Sequence, residues 1–155
     1  MSKIASATGT NGHVCILLVE PNQELGEALA SWLQSRGFQV HRVTSAKEAR
    51  AALHNAQVSG REYDGLLIDF SVLGFVAYGV MSAFQDQFPR CPVAAMASAG
   101  DLFIEFWARV HGVHVLRKPF SLPALSFWCD RIRNASPAPE ATMARALQTV
   151  SLAGN

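Results

Sequence analysis

At 155 residues the chain has the length of one domain, and half of it is apolar, enough to bury a core. A net charge of +1 with scattered Lys and Arg removes the electrostatic case for nucleic acid. No apolar run approaches the ~18 residues of a membrane span, so no membrane partner is expected.

Residues 1–12 are polar, rich in Ser, Thr and Gly, and lack the apolar stretch of a signal peptide. They read as a flexible leader on a cytoplasmic protein. His13 to Val19 reads as a buried strand, closed by Glu20. Leu25, Leu29, Trp32 and Leu33 recur at helical spacing, and Gly37 supplies the stop. Phe38 to Val43 is the second strand. Ser45-Ala46-Lys47-Glu48 forms a capping box for a helix carrying Ala49, Ala52 and Leu53. Gly65 to Ile68 is the third strand, followed by Asp69. A helix around Val80 to Phe88 ends at Pro89, and Val93 to Met96 is the fourth strand. Asp101 caps a fourth helix through Val110, with Gly112 as its stop. Val113 to Leu116 is the fifth strand. Ser121 caps a last helix whose inner face carries Leu125, Trp128, Cys129 and Ile132.

Five strands alternating with five helices argue for an α/β fold, a doubly wound parallel sheet covered on both faces. The flavodoxin-like order 2-1-3-4-5 is one common solution, which periodicity alone does not single out. The domain spans residues 13–133, and residues 134–155 read as linker and C-terminal tail. In that tail Met143, Leu147 and Val150 share one helical stripe, so a short helix and disorder are both open readings. Cys15, Cys91 and Cys129 show no CxxC spacing and read as buried free thiols in a reducing compartment. The five histidines show no ligand spacing, and no glycine-rich nucleotide loop is present.

In a parallel sheet, the residues that follow strand ends gather on one edge. Glu20, Asp69 and Lys118 then meet there. A strand-end aspartate beside a lysine suits a carboxylate that accepts a phosphoryl group.

The motifs in order resemble the receiver domain of bacterial two-component response regulators, over roughly Val14 to Arg133. Ile16-Leu17-Leu18-Val19-Glu20-Pro21-Asn22 is similar to the first strand with its acidic pair. Leu66-Leu67-Ile68-Asp69 resembles the phosphoacceptor strand. Pro92-Val93-Ala94-Ala95-Met96-Ala97-Ser98 resembles the strand with a switch hydroxyl, and Leu116-Arg117-Lys118-Pro119-Phe120 the lysine strand. The resemblance implies Asp69 as phosphoacceptor, Lys118 as the partner of phosphate or carboxylate, and Ser98 as a candidate switch hydroxyl. It implies Mg²⁺ on Glu20, Asp69 and the Ser71 backbone carbonyl, and a histidine kinase or phosphotransfer protein as partner. Four departures stand out. Pro21 replaces the second acid and offers no side-chain oxygen, which leaves Mg²⁺ weak or absent. Leu73 stands at the usual loop proline. Ala97 takes the hydroxyl position, with Ser98 one residue late. Val115 takes the switch aromatic's place.

Phe103, Ile104, Phe106, Trp107 and Val110 crowd the fourth helix on more than one side, and Phe127 lies off the inner stripe of the last helix. An exposed aromatic patch of Phe103, Phe106, Trp107 and Phe127 is therefore expected, suited to a homodimer through the fourth and fifth helices. The competing expectation is that the tail covers it. Three functions follow in order. The first is a stand-alone receiver-like signalling protein of a phosphorelay, not an enzyme, with phosphorylation impaired. The second is a phosphorylation-independent pseudo-receiver binding module. The third, a small α/β enzyme of another class, lacks any evident catalytic motif.

Overall fold

The computed structural model describes residues 12–135. Residues of the expected leader and tail, including the stripe of Met143, Leu147 and Val150, lie outside the described residues. The elements are β1 (Cys15–Val19), α1 (Gln23–Ser35), β2 (Gln39–Val43), α2 (Ala46–Ser59), β3 (Gly65–Asp69), α3 (Phe70–Leu73), α4 (Val76–Gln87), β4 (Val93–Ser98), α5 (Leu102–His111), β5 (His114–Lys118) and α6 (Leu122–Ala135). The five strands form one parallel sheet in the order β2-β1-β3-β4-β5. The expected architecture is the observed one.

The apolar runs explain the layering. β1 and β3 lie inside the sheet, and every one of their residues is buried, as strands covered on both faces must be. Alternate residues feed two cores. Ile16, Leu18, Leu67 and Met96 pack beneath α1 and α6. Leu17, Val19, Leu66 and Ile68 pack beneath α2, α4 and α5. Gly65 opens β3 because a Cβ there would stand 2.7 Å from Cδ1 of Ile132, so the glycine lets α6 seat on the sheet.

Several boundaries differ from the sequence reading. β5 runs on through Arg117 and Lys118, and β3 and β4 include Asp69 and Ser98, because ladder pairing continues past the apolar residues. α3 is a short turn of helix that no apolar period announces; the Asp69 side chain caps it by accepting from the Val72 amide at 3.3 Å. α6 continues through Asn134 and Ala135, residues read from sequence as linker.

The caps hold largely as read. Ser45 Oγ accepts from the Glu48 amide at 3.1 Å, while Glu48 Oε2 accepts from the Thr44 amide at 2.8 Å, one residue before the usual capping-box partner. Asp101 Oδ1 accepts from Phe103 and Ile104, and Gly112 ends α5 in the left-handed region at φ 67°.

Candidate functional site

The sheet register brings the charged residues together. Val19 pairs with Ile68, so Glu20 comes level with Asp69, the last residue of β3. Asp69 pairs with Met96, and Met96 with Leu116, so Lys118 overhangs the acid by two residues. Its side chain reaches back across β4, and Nζ donates to Asp69 Oδ2 at 2.7 Å. Asp69 and Glu20 are completely buried, whereas the Lys118 side chain keeps about a quarter of its surface exposed.

Both Asp69 oxygens are occupied. Oδ2 takes the ammonium of Lys118. Oδ1 accepts from the Ser71 hydroxyl at 2.6 Å and from the Val72 amide. Ser71 Oγ also accepts from Lys118 Nζ at 3.2 Å. The three side chains therefore close a ring of hydrogen bonds. The sequence reading assigned Ser71 through its backbone carbonyl alone and missed this hydroxyl. The missed signal was local: a serine two residues after a strand-end aspartate can bond it as the chain turns into a helix.

Glu20 is less well served. Oε1 accepts from the Asn22 amide at 2.8 Å, while Oε2 receives no amide, hydroxyl or ammonium donor; the Glu20 carboxyl, when protonated, hydrogen-bonds the Asp69 carboxylate. Burial, with the nearby Asp69 carboxyl adding to it, lifts the Glu20 carboxyl to about 7 against the Asn22 hydrogen bond. Asp69 moves the other way. Burial pushes it up, yet the hydrogen bonds from Lys118 and Ser71 hold it below the usual carboxylate range. Two neighbouring carboxyls are thus pulled apart, one anionic and one sharing its proton near neutrality.

The donor set fits Mg²⁺ only in part. Glu20 Oε2 is a buried oxygen with no N–H or hydroxyl donor on it, beside Asp69. Against this, Pro21 brings no oxygen, Lys118 already balances Asp69, and Asn22 Oδ1 is committed to capping α1 at the Leu25 amide, 2.9 Å away. Among the described residues no group of three His, Cys, Asp or Glu side chains is placed to hold a metal.

Ser98 is not drawn into the site. It ends β4 as an exposed residue, next to buried Ala97, and takes no part in the hydrogen bonds around Asp69. Val115 is half-buried against the core that also holds Tyr78 and Trp107.

The expected aromatic patch needs one correction. Phe103, Phe106 and Val110 are exposed on α5, and Phe127 on α6, but Trp107 is not. It leans inward beside Ile104 and Ala108, with its ring 4.7 Å from Tyr78 and 4.2 Å from His111. Ile104 and Ala108 set the inner line of α5, and a 3.6-residue period carries position 107 inward with them. Glu105 of α5 pairs with Arg117 of β5, and Phe127 sits near His114 of β5.

No family model matches the chain. It is similar to the transcriptional regulatory protein QseB of Escherichia coli O157:H7, at 28% identity over 112 residues, 69% of this chain and 47% of that protein. The chain thus spans about half the length of the curated relative it matches. A response regulator receiver protein from Sinorhizobium medicae WSM419 superposes with a TM-score of 0.66 at 22% identity, covering 80% of this chain and 98% of that one. A response regulator receiver domain protein from Clostridium thermocellum gives 0.65 at 21% identity, covering 79% and 93%. The sheet order and these likenesses agree: the chain carries the receiver fold of response regulators.

Proposed function

We propose that this chain is a receiver-like signalling protein that acts through protein contacts rather than as an enzyme, with phosphorylation of Asp69 impaired. One observation carries the reading. Asp69 is buried, and both its oxygens are held by Lys118 and Ser71. To attack phosphorus, a lone pair of the carboxylate must be released from one of these donors. The new O–P bond then forms as the donor's bond to phosphorus breaks. Lys118 is in place to pair with the transferred group.

Mg²⁺ would draw on Glu20, Asp69 and the Ser71 carbonyl, and would supply charge neutralisation for the phosphoryl oxygens. With Pro21 in the acidic pair and the Glu20 carboxyl at about 7, that binding is weak. The partner is a histidine kinase or a phosphotransfer protein. The exposed Phe103, Phe106 and Phe127 favour a contact surface on α5 and α6, including a homodimer.

The internal pair of Lys118 with Asp69 also favours a second reading, a pseudo-receiver whose surface works without phosphorylation. One experiment separates the two. The protein is incubated with a small phosphodonor and Mg²⁺, and its intact mass is compared with that of Asp69→Asn. A slow Asp69-dependent gain of one phosphoryl group, accelerated in Pro21→Asp, is the expected result. No gain in the wild type but a gain in Pro21→Asp selects the pseudo-receiver. Rapid stoichiometric labelling of the wild type overturns the impairment.

A further inference from the structure

The positions that the receiver resemblance reserves for a switch pair hold Ala97 and Val115, and neither can make a hydroxyl–aromatic contact. A different chain of side chains leads away from Asp69. Phe70, its neighbour in sequence, is buried and lies 4.9 Å from the ring of Tyr78 on α4. Tyr78 lies 4.7 Å from Trp107 on α5, and the two planes meet at 57°. Phe75 joins the Tyr78 ring at 5.9 Å. Ring contacts therefore run unbroken from the backbone beside the acid to the helix that exposes Phe103, Phe106 and Val110. Packed aromatic pairs of this geometry are coupled beyond simple burial.

Tyr78 stands in the middle, and its hydrogen bonding is incomplete. Its hydroxyl is shielded from solvent and has no partner among the described residues. An unsatisfied buried hydroxyl is destabilising. Burial, and after it the charge of Asp101, the cap of α5, push the phenol up. A turn of the ring that brought the hydroxyl onto that carboxylate would satisfy the donor and load the first turn of α5. A ring with these two settings would be the discrete element that transmission between sites requires.

We infer that Tyr78 is the two-setting centre of a relay, Phe70–Tyr78–Trp107, through which the state of Asp69 biases the outer face of α5. In one setting the Tyr78 hydroxyl is unpartnered, as here; in the other it donates to the Asp101 carboxylate. The relay rests on the signalling reading above, because it makes α5 the surface that reports on Asp69. It needs no switch hydroxyl at Ser98.

Amide chemical shifts of the full chain test it without any phosphodonor, so its failure is separate from a failure of phosphorylation. Asp69→Asn is the perturbation, and the amides of α5 are the readout. In the wild-type background the shifts spread to Phe103 and Ile104, whose amides donate to Asp101, and on to Val110. With Tyr78→Leu they stop within α3. Tyr78→Phe, which keeps the ring and the packing, retains the response near Trp107 but loses it at Phe103 and Ile104. An α5 response of unchanged size in both Tyr78 variants overturns the relay. So does a wild-type α5 that ignores Asp69→Asn.

Discussion

The two edges of the sheet handle polar groups differently. At the amino edge, Asp64 and Cys15 clamp each other: the Asp64 carboxylate accepts from the Cys15 amide at 2.8 Å, and the Asp64 amide donates to the Cys15 carbonyl at 2.7 Å. Cys91 Sγ donates to the Tyr63 carbonyl, and the Tyr63 hydroxyl meets His41 Nδ1. Tyr63, almost wholly buried, also packs its ring edge-on against Phe88. The amino edge is closed. At the carboxyl edge two acids are fully buried side by side, and their carboxyls are shifted in opposite directions. The carboxyl edge thus sets two buried carboxyls side by side, whereas at the amino edge the Asp64 carboxylate is paired with a backbone amide.

The sharpest way to break this contrast is to remove Lys118. Lys118→Ala strands a buried carboxylate and is expected to destabilise by about 3–5 kcal/mol in urea unfolding. Replacing both partners, as in Asp69→Leu with Lys118→Met, is expected to recover most of that loss. A loss below about 1 kcal/mol in the single variant would mean that the pair does not balance the site.

The pH dependence comes next. Glu20 has a folded value of about 7, above its usual 4.5, so the folded chain holds the extra proton between them. Stability from this group is complete below about 4.5 and falls as pH rises through about 7. Glu20→Gln removes the titration. Relative to the wild type, the variant should gain up to about 3 kcal/mol between pH 5 and pH 8. Asp69 acts in the opposite sense, but only at acidic pH, where its depressed carboxyl takes up a proton. The lowered His41 and His114 are common to both proteins and cancel in the difference. A stability difference that stays flat across this range would place the Glu20 proton elsewhere.

At the amino edge, Asp64→Ala is expected to cost about 2 kcal/mol, because the Cys15 amide loses its carboxylate acceptor. The smallest effect belongs to the surface. Phe106→Ser should change stability by no more than about 0.5 kcal/mol, whereas Trp107→Ala should cost visibly more, since its ring packs on Tyr78. Equal effects would contradict the inward orientation of Trp107. Sedimentation of the Phe106→Ser protein tests the dimer separately: a wild-type dimer that becomes a monomer supports the α5 surface, and identical masses count against it.

Much of this was legible in the residues themselves. His13 to Val19 read as a buried strand and Gly65 to Ile68 as a strand from their apolar runs; Cys15–Val19 and Gly65–Ile68 are wholly buried, while His13 and Val14 lie before the strand. Asp101 and Ser45 read as caps because side-chain acceptors compensate free helix amides locally. The convergence of Asp69 with Lys118 followed from where strands end in a parallel sheet. Ser71, Asn22 and Trp107 were less legible. Each had two uses open to it: a carbonyl or a hydroxyl, a metal oxygen or a helix cap, an outer or an inner helix face.

Local chemistry settled the alternation of strands and helices and the stops between them, because these depend on neighbours within a few residues. Packing settled the rest. Which donor reaches an oxygen, how far a carboxyl is dehydrated, and which way a ring turns depend on residues tens of positions apart, such as Asp69 and Lys118. Those distances are set only when two layers of helices close on the sheet.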